Sequence, residues 1–374
     1  MAKRTILLAV PYFYPQTGGM EHYAHNIAKG LRSHGWRVVV AASGPVTTMQ
    51  KTEIDGFTVY QLPIWKIVSN TPINFKWRSM LRQIIKIEQP DIINTHTPVP
   101  FMADMAGLAS GKRPYVVTYH AATLFKPGSS VMTVLTWAYL PVQAFTLMRA
   151  KAIVAVSPYV KASLSSHNSR KTHVIHNAVN LPKVTRQGPG NGLVFIANLE
   201  ITHVWKGLSL ILASIGRIRD LTGTAPHLTV IGDGSARAEY ERQVADLYIE
   251  KFVTFAGRRV GDDRDSLLRT GAALVAYPTT ANDAFPTVFV EAWAEGLPII
   301  AAAIGPIPSL ISHGKTGILV KPNDPAALAS AIIKFFEEPS RIAEMGAEGR
   351  ALVADQYTWP KQVDRTAKLL EQLS

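Results

Sequence analysis

The chain has 374 residues, more than one ordinary hydrophobic core supports, and its apolar content of 47% is that of a folded protein; together these indicate two globular domains. Cysteine is absent, which excludes a disulfide framework, a thiolate metal site and a cysteine nucleophile. Residues 1–182 hold 19 Lys and Arg against 6 Asp and Glu, and residues 183–374 hold 20 against 21, so the first half carries all of the net positive charge. A basic half favours an anionic partner: a nucleic acid, a membrane surface or a phosphorylated substrate.

The first half alternates strand-like and helix-like segments. The apolar segment Thr5–Val10 is followed by apolar residues at helical spacing between residues 24 and 31, and further strands are predicted at residues 38–42, 91–94, 115–119 and 153–156. This alternation predicts a Rossmann-like domain with a parallel sheet over residues 1–182. Because Thr5–Val10 is shorter than the apolar core of a signal peptide, we expect a cytoplasmic protein.

The second half repeats this alternation after a polar stretch rich in Pro and Gly at residues 181–191, which predicts a linker. Strands are predicted at residues 193–197, 228–231, 253–255, 274–277 and 299–302, and Asp324-Pro325 is typical of a helix start. We expect a second Rossmann-like domain over residues 191–355, and a C-terminal helix within residues 356–374 that packs back on the first domain. The predicted class is α/β, with two doubly wound domains that face a cleft, where such sheets collect ligands.

Gly18-Gly19 joins the first predicted strand to the first helix. Paired glycines let the backbone approach a ligand, and a helix N-terminus offers free N–H groups to a phosphate. The segment matches neither the dinucleotide-binding pattern nor the P-loop pattern, and a plain turn is the alternative.

Lys206 stands just before a predicted helix that begins near Gly207. A cation in a strand-to-helix loop suits a diphosphate, although a solvated surface lysine explains most single lysines.

The stretch from Asn282 to Gly296 follows a predicted strand and carries two carboxylates. Pro286 can open a helix that Gly296 closes, which leaves Asp283 on the loop and Glu291 in the second turn. One carboxylate could then address a sugar hydroxyl and the other a ribose, while free amides near Thr287 and Val288 face a phosphate. In the alternative interpretation, Asp283 caps the helix and Glu291 is a solvated helix residue.

Asp263-Arg264-Asp265 has the spacing of a metal-binding pair of acids. However, it precedes a helical run at residues 266–269, where acids cap a helix and complement its dipole. We therefore expect no metal site.

Over nearly its whole length the chain resembles the retaining GT-B glycosyltransferases of family 4. Asp283 to Glu291 is similar to the E-x7-E signature of that family. Further similar segments follow in the family's order: Gly18-Gly19-Met20-Glu21, Thr118-Tyr119-His120-Ala121, His176-Asn177-Ala178, Lys206-Gly207, Gly232-Asp233-Gly234 and Gly314-Lys315-Thr316-Gly317.

The resemblance implies a donor site for a nucleoside diphosphate sugar, with no cofactor and no metal. It implies that the Gly18-Gly19 amides and Lys206 bind the diphosphate, that Glu291 binds the ribose, and that Arg258, Arg259 and Val260 line the base pocket. Asp283, His120 and Lys206 would be catalytic, with Asp283 on the transferred sugar and His120 near its hydroxymethyl end. The remaining implied donor-binding positions are Asn198, Gly232, Phe285, Pro286, Thr287 and Val288. A same-face mechanism, in which the leaving phosphate accepts the acceptor's proton, is also implied.

Three positions depart from the family pattern. Asp283 replaces the usual Glu, Asn198 replaces an Arg, and Ser309 replaces an acid. The loss of the Arg charge places more weight on Lys206 at the diphosphate. Two other functions stay open: a sugar-nucleotide epimerase of the same fold, and a donor-binding protein with weak or lost activity.

The basic first half contains two segments that favour contact with an anionic membrane surface. They also favour a lipid-linked or glycan acceptor. At helical spacing, Lys76, Arg78, Arg82 and Lys86 lie opposite Trp77, Leu81, Ile84 and Ile85, as in an interfacial helix. Residues 128–148 carry no charge, although Pro141 argues against a spanning helix. The alternatives are a helix packed on the sheet and a buried cleft helix. Nucleic acid is not expected, since no motif for it accompanies the charge.

Overall fold

The protein forms two compact α/β units. A computed structural model describes residues 4–16, 18–68, 71–121, 130–183, 186, 188, 190–280 and 283–374. The first unit comprises Met1–Ala178 and Trp359–Ser374, and the second comprises Val179–Thr358. The predicted α/β class is confirmed.

The first unit is built on an eight-stranded sheet in the order β10-β9-β8-β7-β1-β2-β4-β3, parallel except for the antiparallel pair β3 and β4. A separate antiparallel pair is formed by β5 and β6. The strands are β1 (Thr5–Val10), β2 (Arg37–Gly44), β3 (Gln50–Ile54), β4 (Phe57–Pro63), β5 (Lys66–Val68), β6 (Thr71–Ile73), β7 (Ile92–Thr97), β8 (Tyr115–Tyr119), β9 (Ala152–Ala155) and β10 (Thr172–Val174).

Helices accompany this sheet, whose central strands β7 and β1 are buried throughout. The helices are α1 (Gly19–Ser33), α2 (Trp77–Glu88), α3 (Met102–Ala109), α4 (Ser130–Arg149), α5 (Pro158–Ser163) and α6 (Ser166–Arg170). The predicted helical spacing between residues 24 and 31 is confirmed in α1, whose apolar face is buried.

Helix α2 corrects the prediction that its apolar face enters a membrane interface. Its apolar residues Trp77, Leu81 and Ile84 are fully buried in the first unit, so they are not available to enter a membrane interface. The basic residues of the same segment, Lys76, Arg78, Arg82 and Lys86, are exposed. The hydrophobic pattern correctly identified an amphipathic helix but not the surface that its apolar face contacts.

The second unit has a six-stranded parallel sheet in the order β13-β12-β11-β14-β15-β16. Its strands are β11 (Leu193–Ile196), β12 (Leu228–Ile231), β13 (Val253–Gly257), β14 (Ala273–Ala276), β15 (Ile299–Ala302) and β16 (Gly317–Val320). Its helices are α7 (Leu208–Thr222), α8 (Arg237–Asp246), α9 (Gly261–Thr270), α10 (Thr287–Ala294), α11 (Ile307–Leu310), α12 (Pro325–Glu337) and α13 (Pro339–Gln356). The predicted cap is confirmed, since the Asp324 side chain accepts a hydrogen bond from the Ala327 N–H.

The last helix, α14 (Trp359–Leu373), groups with the first unit. Its residues Val363, Ala367 and Leu370 are buried in the same core as Ile27 and Leu31 of α1. The chain therefore returns to the first unit after the second is complete.

Gly207 lies where the segment after β11 approaches the end of β14. Its φ of 81° is in the left-handed region, and a Cβ at this position would overlap the carbonyl oxygen of Tyr277. Nearby, the Thr279 N–H donates to the Trp205 carbonyl at 2.8 Å. Because the two backbones are this close, only glycine fits at residue 207 without displacing them.

We expect Gly207→Ala to destabilise the second unit more than Gly223→Ala does. Gly223 also has a positive φ, 76°, but no atom lies within 4 Å of the place that a Cβ would take there. Its substitution should therefore cost only the left-handed conformation, about 1 to 2 kcal/mol. Chemical denaturation of both variants would measure the difference, and equal losses would contradict the close approach as the reason for glycine.

Candidate functional site

The carboxyl ends of neighbouring strands in the second unit bring together residues that are far apart in sequence. Lys206 ends a 3-10 helix, Ile201–Lys206, in the segment after β11, and Asp283 lies after β14, the neighbouring strand. Lys206 Nζ donates to Asp283 Oδ2 at 2.5 Å and also lies 4.3 Å from the centre of the Trp205 ring. Both side chains are 28% exposed, so the pair is within reach of a ligand.

The loops after β11 and β12 are also joined. The Leu199 N–H donates to the Asp233 carbonyl at 3.0 Å, and a Cβ at Gly232 would overlap the Ala197 carbonyl oxygen. Asn198 lies two residues after the end of β11. The structure therefore places Asn198, Gly232 and Lys206 along one edge of the sheet.

The N-terminus of α10 follows Asp283 within four residues. Pro286 is the N-cap residue, and within the described residues no side chain caps the free amides of the first turn, which begins at Thr287 and Val288. The Phe285 side chain is buried and contacts Tyr357 at a ring distance of 5.6 Å. Phe285 thus fixes the loop, while the amides of α10 are left for an anion.

Glu291 lies in the second turn of α10 and forms an ion pair that the sequence did not indicate. Arg264 Nη1 donates to Glu291 Oε1 at 3.1 Å, and Arg264 also pairs with Asp265 at 2.7 Å. Burial raises the pKa of Glu291, and Arg264 opposes that rise. Arg264 therefore favours the ionised carboxylate, which is the form that accepts hydrogen bonds from hydroxyl groups.

The interpretation of Asp263-Arg264-Asp265 needs one correction. The segment lies inside α9, which begins at Gly261, and not before the helix. Between β13 and this helix, Arg258, Arg259 and Val260 are exposed, and Arg259 Nε donates to the Ala256 carbonyl at 2.9 Å. In the part of the chain that the structure describes, no group of His, Asp and Glu side chains has the arrangement of a metal site.

In the first unit, the predicted residues lie at the carboxyl ends of β1 and β8. Gly18 is the N-cap of α1, and Gly19 begins that helix with open space around it. Glu21 lies in the first turn, and burial raises the pKa of its carboxyl group. Gly18 and Gly19 are thus exposed at a helix N-terminus, as a phosphate contact requires.

His120 directly follows β8 and belongs to a cluster of rings. Its Nε2 lies 3.1 Å from Nδ1 of His96, and the Tyr23 ring meets it edge-on at 4.9 Å. Burial lowers the pKa of His120 to about 3, so the ring is neutral at physiological pH. His120 remains partly exposed, whereas His96 is fully buried.

Sequence reasoning missed Arg264 and His96. Arg264 lies between two acids that are typical of a helix start, and its partner Glu291 belongs to a different helix, α10. His96 lies two residues beyond the strand predicted at residues 91–94, and the sequence offers only the polar character of residues 94–97 as a signal.

Two family models match the chain in succession. The model described as Glycosyltransferase Family 4 matches residues 17–183, and the model described as Glycosyl transferases group 1 matches residues 181–352. The D-rhamnosyltransferase WbpZ of Pseudomonas aeruginosa is 27% identical over 93% of this chain and 90% of its own length. The O-antigen chain mannosyltransferase C of Escherichia coli is 26% identical over 96% of this chain and 95% of its own length.

Solved structures share the fold. Anabaena HepE in complex with UDP has a TM-score of 0.77 at 19% identity, with 99% of this chain and 100% of that chain covered. The sucrose-phosphate synthase of Thermosynechococcus elongatus has a TM-score of 0.74 at 19% identity, with 99% of each chain covered. With two α/β units of this type and two successive family matches, the chain belongs to the GT-B glycosyltransferases of group 1.

Proposed function

We propose that the protein transfers a hexosyl unit from a nucleoside diphosphate sugar to an acceptor hydroxyl, with retention of the anomeric configuration. The observation that carries the proposal is the Lys206–Asp283 pair, which lies close in sequence to the N-terminus of α10, where no side chain of the described residues caps the helix. A cation and free amides on one side suit a leaving diphosphate, and a carboxylate next to them suits the hydroxyls of the transferred sugar.

The chemical problem is charge separation, because an oxocarbenium-like sugar forms as the diphosphate leaves. Lys206 and the amides at Thr287 and Val288 would stabilise the negative charge on the leaving oxygen, so the step needs no metal ion. The bond from the anomeric carbon to the phosphate oxygen breaks, and a bond to the acceptor oxygen forms on the same face. The leaving phosphate takes the proton of the acceptor hydroxyl, so no enzyme carboxylate has to act as a covalent nucleophile.

The nucleoside would be held by the α9–α10 side of the second unit. Glu291 accepts hydrogen bonds from the ribose hydroxyls, with Arg264 maintaining its charge. Arg258, Arg259 and Val260 line the base pocket from the exposed segment between β13 and α9. The complex of Anabaena HepE with UDP supports a nucleotide-bound donor.

The acceptor is proposed to be a glycan or a lipid-linked saccharide in cell-envelope polysaccharide assembly. The names of the relatives, a D-rhamnosyltransferase and an O-antigen chain mannosyltransferase, support hexosyl transfer of this kind.

The first unit is further proposed to work at the anionic inner surface of the plasma membrane, as a cytoplasmic peripheral protein. The exposed basic face of α2 would contact headgroups. Helix α4 offers an apolar face, since Val134 is 67% exposed, Trp137 63% and Met148 57%. Among the described helices, none is long and apolar enough to cross a bilayer.

Donor identity can be tested by thermal stabilisation with a panel of nucleoside diphosphate sugars, since a ligand at 100 times its Kd adds roughly 2.7 kcal/mol. The stabilising donor is then incubated with and without saccharide acceptors. Transfer only with an acceptor supports the proposal. An epimerised nucleotide or a free sugar formed from donor alone would identify an epimerase, and binding with no turnover would identify a donor-binding protein.

We expect Lys206→Ala to remove most transfer activity, because the diphosphate loses its cation. The loss should be on the order of 2 to 4 kcal/mol of transition-state stabilisation, measured as kcat/KM. Asp283→Asn should also lower turnover, since the carboxylate proposed to contact the hydroxyls of the transferred sugar is lost. Lys315→Ala is the matched control, because Lys315 pairs with Glu348 at 3.3 Å just before the amino end of β16. Near-wild-type turnover in Lys206→Ala would exclude the proposed donor site.

Arg264→Gln should make donor binding more sensitive to acid. Burial already raises the pKa of Glu291, and without Arg264 that pKa rises further, so the carboxylate protonates at a higher pH as the pH falls. We would measure the affinity for UDP and GDP by calorimetric titration between pH 8 and pH 5. As the pH is lowered, the affinity should begin to fall at a higher pH in the variant than in the wild type. Arg269→Gln is the control, since it breaks a similar ion pair, Arg269 to Glu295 at 3.2 Å, without touching Glu291. The same pH dependence in both variants would contradict this role of Arg264.

We expect the protein to co-sediment with anionic vesicles but not with neutral ones, and salt should weaken the binding. Changing Lys76, Arg78, Arg82 and Lys86 together to Glu should abolish it. The same change at Lys315, Lys321, Lys334 and Arg341, basic residues of the second unit, is the control. Equal recovery in the supernatant with both vesicle types at low salt would defeat the membrane proposal.

A further inference from the structure

A chain of polar side chains runs through the sheet of the first unit from β8 to His120. Asn94 and His96 lie on β7, and Thr118 lies on β8 beside them. His120 Nε2 is 3.1 Å from His96 Nδ1, and His96 Nε2 is 3.2 Å from Asn94 Oδ1. Asn94, His96 and Thr118 are all buried. In a buried chain of this kind, each donor has to meet an acceptor.

The orientation of the Asn94 amide is fixed by its other partners. Its Nδ2 donates to the Val116 carbonyl at 3.3 Å and to Thr118 Oγ1 at 3.1 Å. A backbone carbonyl can only accept, so the amide nitrogen has to face Val116. The Asn94 oxygen therefore faces His96.

This orientation assigns the protons of His96. Because Asn94 Oδ1 can only accept, His96 Nε2 carries a hydrogen and donates it. Burial lowers the pKa of His96 well below its usual range, with a further contribution from His120, so the ring is neutral. A neutral ring with a protonated Nε2 has a bare Nδ1, and this atom faces His120.

The tautomer of His96 determines that of His120. A bare Nδ1 on His96 accepts, so His120 Nε2 carries a hydrogen and donates it. Since His120 is also neutral, its own Nδ1 is bare. Among the described residues, no hydrogen-bond partner contacts that atom, and the His120 residue is partly exposed.

We propose that Asn94 and His96 are positioning residues that fix His120 in the tautomer with a protonated Nε2 and a bare Nδ1. His120 then acts as a hydrogen-bond acceptor for one hydroxyl of a sugar substrate, and not as a proton donor. A sugar that lacks this hydroxyl leaves Nδ1 without a partner, so the arrangement selects for the hydroxyl. The identity of the ligand as a sugar rests on the proposed function, whereas the tautomer does not.

The tautomer is tested on the full chain with ¹⁵N-labelled histidine, by long-range proton–nitrogen correlation between pH 6 and pH 8. The His96 and His120 signals are assigned from their loss in His96→Gln and His120→Gln. Both rings are expected to show one protonated Nε2 and one bare Nδ1. A protonated Nδ1 on His120, or a mixture of tautomers, would overturn the proposal. This measurement uses the unliganded wild-type protein, so it does not depend on whether the donor has been identified.

Asn94→Leu tests the positioning step. Without the Asn94 oxygen, either ring nitrogen of His96 can carry the hydrogen. The His120 signals should then show a mixture of the two tautomers. Thr95→Val is the matched control, since Thr95 is a neighbouring buried polar residue of β7 whose hydroxyl donates to the Ala9 carbonyl at 2.7 Å, outside the chain of rings. An unchanged His120 tautomer in Asn94→Leu would remove Asn94 from the proposal.

The substrate step is tested with GDP-mannose, UDP-glucose and their mono-deoxy analogues. One deoxy position is expected to lower kcat/KM of the wild type roughly 10-fold, as for one hydrogen bond lost, and this discrimination should shrink in Asn94→Leu but not in Thr95→Val. Equal discrimination in Asn94→Leu and the wild type would show that the Asn94–His96 chain does not set how His120 recognises the hydroxyl, and would overturn the proposal. If no donor supports transfer at all, the proposed function fails while the tautomer measurement stands on its own.

Discussion

The proposed donor site depends on how closely two backbone segments approach at the carboxyl edge of the second sheet. Gly207, in the left-handed conformation, allows the segment after β11 to contact the end of β14, and the Trp205 carbonyl accepts from Thr279 across the gap. This approach brings Lys206 next to Asp283, although 77 residues separate them in the chain. In a parallel sheet, neighbouring strands end at the same edge, so the loops that follow β11, β12, β13 and β14 all contribute residues there.

Two pairs of opposite charges lie at that edge. Asp283 neutralises Lys206, and Arg264 neutralises Glu291. A donor would exchange these contacts for its own, with the diphosphate taking the place of Asp283 at Lys206 and thereby releasing the carboxylate toward the sugar. Since Asn198 stands where the family usually has an arginine, the proposed exchange would depend on Lys206 as its cation. Pre-paired groups also hold the side chains in place, so less conformational entropy is lost when the ligand binds.

Much of the fold could be predicted because local sequence decides it. Thr5–Val10, Tyr115–Tyr119, Leu228–Ile231 and Ile299–Ala302 are strands over the residues predicted, since buried parallel strands are continuous apolar segments. The edge strand β3 was not predicted because Gln50–Ile54 is mostly polar and partly exposed. The helix cap at Asp324 was predictable because Pro325, a residue typical of the first helical position, follows it.

The site was less predictable because its contacts join distant elements. Local chemistry pointed to Lys206, Asp283 and Glu291 and motif resemblance gave their specific roles, which stay predictions. Arg264 and His96 acquire their partners only when the fold brings the side chains of α9 and α10 within reach and when β7 pairs with β8. The contacts of α2 were unpredictable for a similar reason. Periodicity identifies an apolar helix face, but it does not tell whether protein or lipid covers that face.

The return of α14 to the first unit has a consequence for synthesis of the chain on the ribosome. Where the chain enters and leaves the second unit, Val179 and Thr358 form a β-bridge, so this unit is an insertion whose two ends lie side by side. The first unit is translated first, yet its core lacks Val363, Ala367 and Leu370 until α14 emerges. The inserted unit, whose residues are contiguous, can therefore complete its fold while the unit translated before it still exposes the apolar side of α1.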